Sequence, residues 1–169
     1  GIAEADFEKH ERRLQHLIDL TKPLDARVAE EPGSGAAGGL GFGCRVFLEA
    51  DMSPGFDLIA DILDLESAIE ACDLVITGEG RLDAQTLQGK GPVGVAALAR
   101  KHGKPVAAFA GSVDPEASES LASAFDFICQ SGPSELPLEE SMTRAAELLA
   151  ASTLANSDAL LSLTPTLRG

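Results

Sequence analysis

A polar segment at residues 77–91 gathers most of the side chains in this sequence that could do chemistry. It carries Glu79, Arg81, Asp83 and Lys90 in close succession. An arginine can bind a carboxylate or a phosphate through two parallel hydrogen bonds, and a lysine adds a mobile positive charge. A carboxylate such as Glu79 or Asp83 can accept a hydroxyl proton or hold Mg²⁺. The segment therefore predicts a site for a small anion, with the means to activate a hydroxyl group.

The same segment contains glycines and hydrogen-bonding side chains that suit such a site. Gly78 and Gly80 would let backbone amides approach an anion, and Gln85 and Thr86 add polar groups. The alternative is a solvated loop whose charges pair with one another. We favour the site, because solvated loops seldom concentrate so many functional groups.

Apolar runs on both sides predict that the polar segment follows a strand of a parallel sheet. Leu74, Val75 and Ile76 form a short run that ends at Thr77-Gly78, as in a strand buried on both faces. Downstream we predict helices at 92–102, about 115–124 and 138–161, with strands at 106–110 and 125–129. This alternation predicts an α/β fold with right-handed crossovers, Rossmann-like or flavodoxin-like. In such sheets ligands bind beyond the carboxyl ends of the strands, where the flexible polar segment would lie.

Residues 1–71 have a different sequence pattern, in which apolar residues recur mainly at helical spacing. We predict a helix at 4–20 and an extended piece at 26–29. Three more helices are predicted, one from the glycine-rich block to about residue 50, one that begins after Pro54, and one at 66–71. The change of pattern predicts two parts, residues 1–71 and residues 72–169.

A glycine-rich block at residues 33–43 contains the spacing of a dinucleotide-binding turn, with glycines at 33, 35 and 38. The preceding extended piece is short and polar, which disfavours NAD binding. Two interpretations remain open. The backbone at Gly33 and Gly35 contacts a phosphate or carboxylate, or the glycines allow a helix start to pack closely on another lobe.

The remaining polar candidates have simpler explanations. His102 would be a cation at a helix C-terminus, and His10 and His16 lie on a charged helix, so we expect no metal or nucleophile arrangement around them. Ser112 follows a predicted strand, where it either contacts a ligand or caps the next helix.

Composition excludes several classes of function. The net charge of −14 and the absence of Trp and Tyr argue against nucleic-acid binding, and no apolar run is long enough to cross a membrane. Cys44, Cys72 and Cys129 are widely spaced and predict reduced, buried thiols in a cytoplasmic protein. The chain opens with Gly1 and not Met, which suggests an internal cut or a processed end.

Two segments, residues 32–41 and 76–95, closely resemble the bacterial glycerate kinase family. They read Pro-Gly-Ser-Gly-Ala-Ala-Gly-Gly-Leu-Gly and Ile-Thr-Gly-Glu-Gly-Arg-Leu-Asp-Ala-Gln-Thr-Leu-Gln-Gly-Lys-Gly-Pro-Val-Gly-Val, and their order and separation also match the family. Ser34 stands where the family commonly has Ala, and Gly91 where Ala or Thr is frequent. The resemblance covers nearly the whole chain and weakens after Ser112.

The resemblance implies a two-lobed α/β kinase with its active site in the cleft between the lobes. The reactants would be ATP, Mg²⁺ and D-glycerate, with 2-phosphoglycerate as the product. Residues 1–71 would belong to the second lobe, and 72–169 would be the C-terminal part of the Rossmann-like lobe.

Roles for the polar segment follow from this chemistry. Arg81 and Lys90 would bind the glycerate carboxylate or the transferring phosphoryl group, and Asp83 the attacking hydroxyl or Mg²⁺. Gln85 and Thr86 would donate hydrogen bonds that fix the substrate.

The resemblance also implies that further motifs of the family lie upstream of this sequence. We therefore expect a C-terminal portion of the enzyme that needs the remaining N-terminal part and is inactive alone. The competing class is a non-catalytic module that binds a small anionic metabolite through the same segment.

Overall fold

The computed structural model describes residues 3–25, 27–89 and 91–164, and the chain forms two compact units, residues 1–54 and 55–169. The first unit is helical in its described part. Its elements are a 3₁₀ turn at Glu4–Asp6, α1 (Phe7–Asp25), a 3₁₀ turn at Arg27–Glu30 and α2 (Ala36–Leu48). The sequence predicted that this helix would end at residue 20, and this was wrong, because α1 continues to Asp25. Thr21 does not stop the helix, because its hydroxyl donates within it to the carbonyls of Leu17 and Ile18, at 2.9 and 3.1 Å.

The extended piece predicted at residues 26–29 is also wrong where the structure describes it, since Arg27–Glu30 is a 3₁₀ turn and Ala26 lies outside the described residues. The carbonyl of Val28 explains the turn. It accepts the backbone amide of Glu31 at 3.3 Å and the buried hydroxyl of Ser34. The Ser34 hydroxyl therefore ties the segment before α2 to this turn.

The glycine-rich block begins α2, as predicted, but it does so irregularly. Ala37, Gly38 and Gly39 have φ angles of 50°, 70° and 91°, so regular helix starts only after them. Close packing occurs one turn later, because a Cβ on Gly41 would lie 2.3 Å from the carbonyl oxygen of Gly33. A side chain at position 41 would push this turn away from the helix.

The second unit has the predicted alternation of strands and helices. Its helices are α3 (Gly55–Ile62), α4 (Leu65–Glu70), α5 (Gly91–Lys101), α6 (Ser118–Ala124), α7 (Leu138–Thr143), α8 (Ala145–Ala155) and α9 (Ser157–Ser162). Its strands are β1 (Val75–Leu82), β2 (Val106–Val113) and β3 (Phe127–Gln130), with 3₁₀ turns at Thr86–Gln88 and Pro115–Ala117. The strands form one parallel sheet in the order β1-β2-β3, which confirms the predicted α/β fold.

Two predicted element lengths were wrong. The strands β1 and β2 continue beyond residues 78 and 110, because they stay paired as far as Leu82 and Val113. The long terminal helix predicted at 138–161 is three helices, broken at Arg144 and Asn156. Arg144 has φ of −101° and ψ of 13°, and Asn156 has φ of −108° and ψ of 15°, which lie outside the regular helical region.

Apolar packing covers both faces of the central strand. On one face, Val106, Ala108 and Ala110 pack with residues of α4, α5 and α6. On the other face, Ala107 and Phe109 pack with Cys129 and with Leu160 of α9. A strand that is buried on both faces must be uniformly apolar, which is why the run from Val106 to Ala110 could be predicted.

The boundary between the two compact units lies after Pro54, earlier than the boundary predicted between residues 71 and 72. Helices α3 and α4 belong to the unit that holds the sheet, while the assignment of the two parts to lobes stays a prediction.

Within the described ranges, no helix has the length and hydropathy of a membrane span. All three cysteines are free, but only Cys129 is buried, so the prediction that Cys44 and Cys72 are buried was wrong.

Candidate functional site

The first part of the polar segment, residues 77–82, continues β1 instead of forming a loop. Gly78, Glu79, Gly80 and Arg81 all lie within this strand, which corrects the flexible loop predicted for them. Glycine makes the pairing possible, because a Cβ on Gly78 would lie 2.3 Å from the carbonyl oxygen of Phe109 on β2. The strand backbone therefore holds Glu79 and Arg81 at fixed register positions at the carboxyl end of the sheet.

The buried hydroxyl of Thr86 connects the Glu79 carboxylate to the backbone of Asp83. Thr86 is fully buried, and its hydroxyl donates to Oε1 of Glu79 while accepting the backbone amide of Asp83 at 3.0 Å. Asp83 in turn accepts the amides of Gln85 and Thr86 on Oδ1, at 2.9 and 3.2 Å. The turn after β1 is thus closed by its own polar side chains. Thr86 is placed to hold Glu79, whereas the Gln85 side chain is exposed.

The Arg81 guanidinium lies between two carboxylates. Its Nε is 3.7 Å from Oδ2 of Asp83, and its Nη2 donates to Oδ2 of Asp114 at 3.2 Å. The arginine side chain remains 62% exposed, so a ligand can reach it. A guanidinium has five N–H donors, and these two contacts engage only part of that set. Arg81 can therefore hold an anion while both carboxylates keep it in place.

Asp114 was missed by the sequence analysis. It comes directly after β2 and caps the 3₁₀ turn Pro115–Ala117, since its Oδ1 accepts the amide of Glu116 at 3.0 Å. Its own amide donates to the carbonyl of Leu82 at 2.8 Å, which ties it to the end of β1. Ser112 does not cap this turn, so that alternative for Ser112 was wrong. An Asp before Pro at the end of a strand was the available signal.

For three other predicted site residues, participation in the site stays a prediction. Lys90 lies outside the described residues. Gly33 and Gly35 belong to the first compact unit, where Gly35 has φ of −77° and a Cβ on it would have no described atom within 4 Å. Within this unit, close approaches in the block occur at Gly39 and Gly41, where an added Cβ would lie 2.8 Å from Leu14 and 2.3 Å from the Gly33 carbonyl oxygen, and not at Gly35. Packing of the block on another lobe and contact of Gly33 or Gly35 with a ligand both stay predictions.

The described residues contain no group of three or more His, Cys, Asp and Glu that could hold a metal ion. His102 is engaged elsewhere, because its Nε2 contacts Glu66 at 2.7 Å. Hydrogen bonds from Lys101 and His102 hold the pKa of Glu66 below its ordinary value. A cavity of about 580 Å³ lies at the amino ends of the strands, beside Arg100, Lys104 and Asp126, at the edge of the sheet opposite Arg81.

Comparison with known proteins gives a consistent result. The sequence model of the glycerate kinase family matches residues 1–158. The chain is 37% identical to a glycerate kinase of Bacillus subtilis (strain 168) over 140 residues, which are 82% of this chain and 37% of that protein. It is 43% identical to a glycerate 2-kinase of Escherichia coli (strain K12) over 114 residues, 67% of this chain and 30% of that protein.

A solved structure agrees with these sequence matches. It is a crystal structure from Salmonella typhimurium LT2, described as a glycerate kinase 2, with a TM-score of 0.66 and 33% identity. The match covers 93% of this chain and 41% of that one. The chain thus spans about two fifths or less of the length of the relatives it matches.

Proposed function

The chain belongs to the glycerate kinase family, and we propose that the protein transfers the terminal phosphoryl group of ATP to D-glycerate. The observation that carries the proposal is the guanidinium of Arg81, held at the carboxyl end of the parallel sheet and exposed to an anionic ligand. We further propose 2-phosphoglycerate as the product and the cytoplasm as the place of action, where the three free thiols would stay reduced.

In the proposed reaction, a hydroxyl oxygen of glycerate attacks the terminal phosphorus of ATP, and the bond to the ADP oxygen breaks. Phosphoryl transfer needs chiefly positioning and charge neutralisation from the protein. Arg81 would supply both, by binding the glycerate carboxylate or the transferring group. Lys90 would add a second positive charge, and Gln85, whose side chain is exposed, a hydrogen bond to the substrate.

A carboxylate must take the proton of the attacking hydroxyl group. Asp83 uses Oδ1 for two backbone amides and Oδ2 for Arg81. Glu79 is held through Oε1 by Thr86, and no described residue bonds its Oε2. We therefore favour Glu79 over Asp83 as the base, with Asp83 and Thr86 as positioning residues for Arg81 and Glu79.

Mg²⁺ would accompany ATP and neutralise charge on its phosphates. The metal needs only one or two protein carboxylates when phosphate oxygens and water complete its shell. Asp83 could contribute one such carboxylate, and Glu79 could do so only if it did not also act as the base. The described residues contain no group of three or more His, Cys, Asp and Glu that could hold a metal ion, so this part of the chain would hold the metal only in part.

We also propose that residues 1–169 do not complete the site by themselves. Relatives of this family are more than twice as long as the matched region, which covers 37% of the Bacillus subtilis protein. The remaining part of the enzyme would then supply contacts to the nucleotide.

The test is a steady-state assay of the longest native chain that contains these residues, with ATP, Mg²⁺ and D-glycerate. We expect ADP and phosphoglycerate in equal amounts, and ³¹P NMR would identify 2-phosphoglycerate. Residues 1–169 alone should show little or no turnover. Glycerate binding without any ADP formation would contradict the proposal and support a non-catalytic binding module.

A further inference from the structure

The side chain of Asp114 has two oxygens, and each makes a different contact. Oδ1 accepts the backbone amide of Glu116 at 3.0 Å and so caps a turn. Oδ2 accepts Nη2 of Arg81 at 3.2 Å. Capping alone needs only one oxygen. The second contact joins the ends of two neighbouring strands through side chains.

The surroundings of Asp114 make it a rigid partner. Its carboxylate side chain is only 26% exposed, and its backbone amide is bonded to Leu82 at the end of β1. The residue that follows is Pro115, whose ring fixes the backbone. Arg81, in contrast, has a long side chain that is 62% exposed and would sample many rotamers if it were not held.

We propose that Asp114 is a positioning residue that fixes the orientation in which Arg81 meets an anionic substrate. Asp83 approaches the guanidinium from the turn after β1, at 3.7 Å from Nε, and Asp114 approaches it from the end of β2. With both partners in place, the guanidinium can turn little, and its other donors face a ligand in one arrangement. The catalytic consequence rests on the proposed glycerate kinase function, whereas the positioning itself does not.

The variant Asp114→Asn separates the two contacts. Asparagine keeps an oxygen for the Glu116 amide and is as good a cap as aspartate, but it removes the charge that faces Arg81. A matched control is Asp126→Asn, because Oδ2 of Asp126 also accepts a backbone amide, that of Val106 at 2.8 Å, at the opposite edge of the sheet.

Kinetics of the longest native chain provide the first readout. Asp114→Asn should lower kcat/KM for glycerate about fivefold, and Asp126→Asn should leave it unchanged. In the Arg81→Ala background, Asp114→Asn should change kcat/KM by less than about twofold, because the residue acts through Arg81. An equal loss in both backgrounds would overturn the inference and make Asp114 a structural residue only.

The second readout does not depend on activity. The Nε–H resonance of Arg81 can be identified in ¹⁵N-labelled protein as the signal that Arg81→Ala removes. We expect Asp114→Asn to lower its order parameter and speed its exchange with water, while Asp126→Asn changes neither. A resonance that stays unaltered would refute the positioning role whatever the activity. A native chain that shows the mobility change but never phosphorylates glycerate would refute the proposed function alone.

Discussion

Replacing Thr86 by valine would remove one hydroxyl and leave the shape of a fully buried side chain almost unchanged. The hydroxyl donates to the Glu79 carboxylate and accepts the Asp83 amide. A hydrogen bond to a charged group contributes about 1.5–3 kcal/mol, and a buried donor left without a partner costs about 1–3 kcal/mol. The apolar methyl group recovers about 0.8 kcal/mol. We therefore expect Thr86→Val to lower the free energy of unfolding by about 2–5 kcal/mol.

The assay is urea denaturation of the longest native chain, with the midpoint and slope compared between variants. The control is Thr143→Val, because Thr143 is exposed and its hydroxyl donates only to the carbonyl of Glu139 within one helical turn, at 2.8 Å. That change should stay within about 0.5 kcal/mol of the wild type. Kinetics of Thr86→Val should also show a lower kcat, since Glu79 would no longer be held. Equal stability of the two valine variants would refute the assigned role of Thr86.

Three further predictions concern packing, the glycine-rich block and pH. Gly41→Ala should lower the free energy of unfolding by about 1–3 kcal/mol, because its methyl group would meet a backbone carbonyl. Gly43→Ala has open space around it and should raise the free energy of unfolding by about 0.5–1 kcal/mol. Calorimetry that found Gly41→Ala at least as stable as Gly43→Ala would contradict the close contact. Gly35→Ala should change the free energy of unfolding by less than about 1 kcal/mol. If the backbone of Gly35 contacts a ligand, the variant should raise KM for either ATP or glycerate. An unchanged KM for both substrates would remove Gly35 from the site. Hydrogen bonds from Lys101 and the adjacent histidine lower the pKa of Glu66, so their contribution is present above its ordinary pKa of 4.5 and is lost as the pH falls through the lowered value. The melting temperature of the wild type should therefore be higher than that of Glu66→Gln at about pH 7, and the difference should be smaller at about pH 3. The same difference in melting temperature at both pH values would contradict the pairing.

The sequence predicted the sheet well where burial dictates composition. The run from Val106 to Ala110 must be apolar because both of its faces are covered, and its strand was correctly expected. At the end of β1, beyond the buried core, the residue types no longer indicate whether the chain pairs with a neighbouring strand. Glu79 and Arg81 are polar, so residues 78–82 resembled a loop, although all of them except Gly80 are paired with residues of β2.

The roles predicted for the candidate site stay predictions, and the structure adds contacts that the sequence did not indicate. Thr86 was assigned to the substrate, yet tertiary packing buries it against Glu79, which no local pattern could indicate. Asp114 was overlooked because it is distant from Arg81 in sequence and only the pairing of β1 with β2 brings them together. The breaks at Arg144 and Asn156 interrupt a continuous helical pattern, and neither a proline nor a glycine marks them.

The most direct test of the account compares two arginines that each pair with two carboxylates. Arg81 lies between Asp83 and Asp114 at the candidate site, and Arg144 pairs with two glutamates on the terminal helices. In the longest native chain, Arg81→Ala should lower kcat/KM for glycerate phosphorylation by a factor of about ten or more, since a charge-assisted contact contributes at least about 1.5 kcal/mol. Arg144→Ala should retain wild-type kcat/KM. Normal kinetics in Arg81→Ala, or an equal loss in both variants, would contradict the claim that the carboxyl end of this sheet binds the reacting groups.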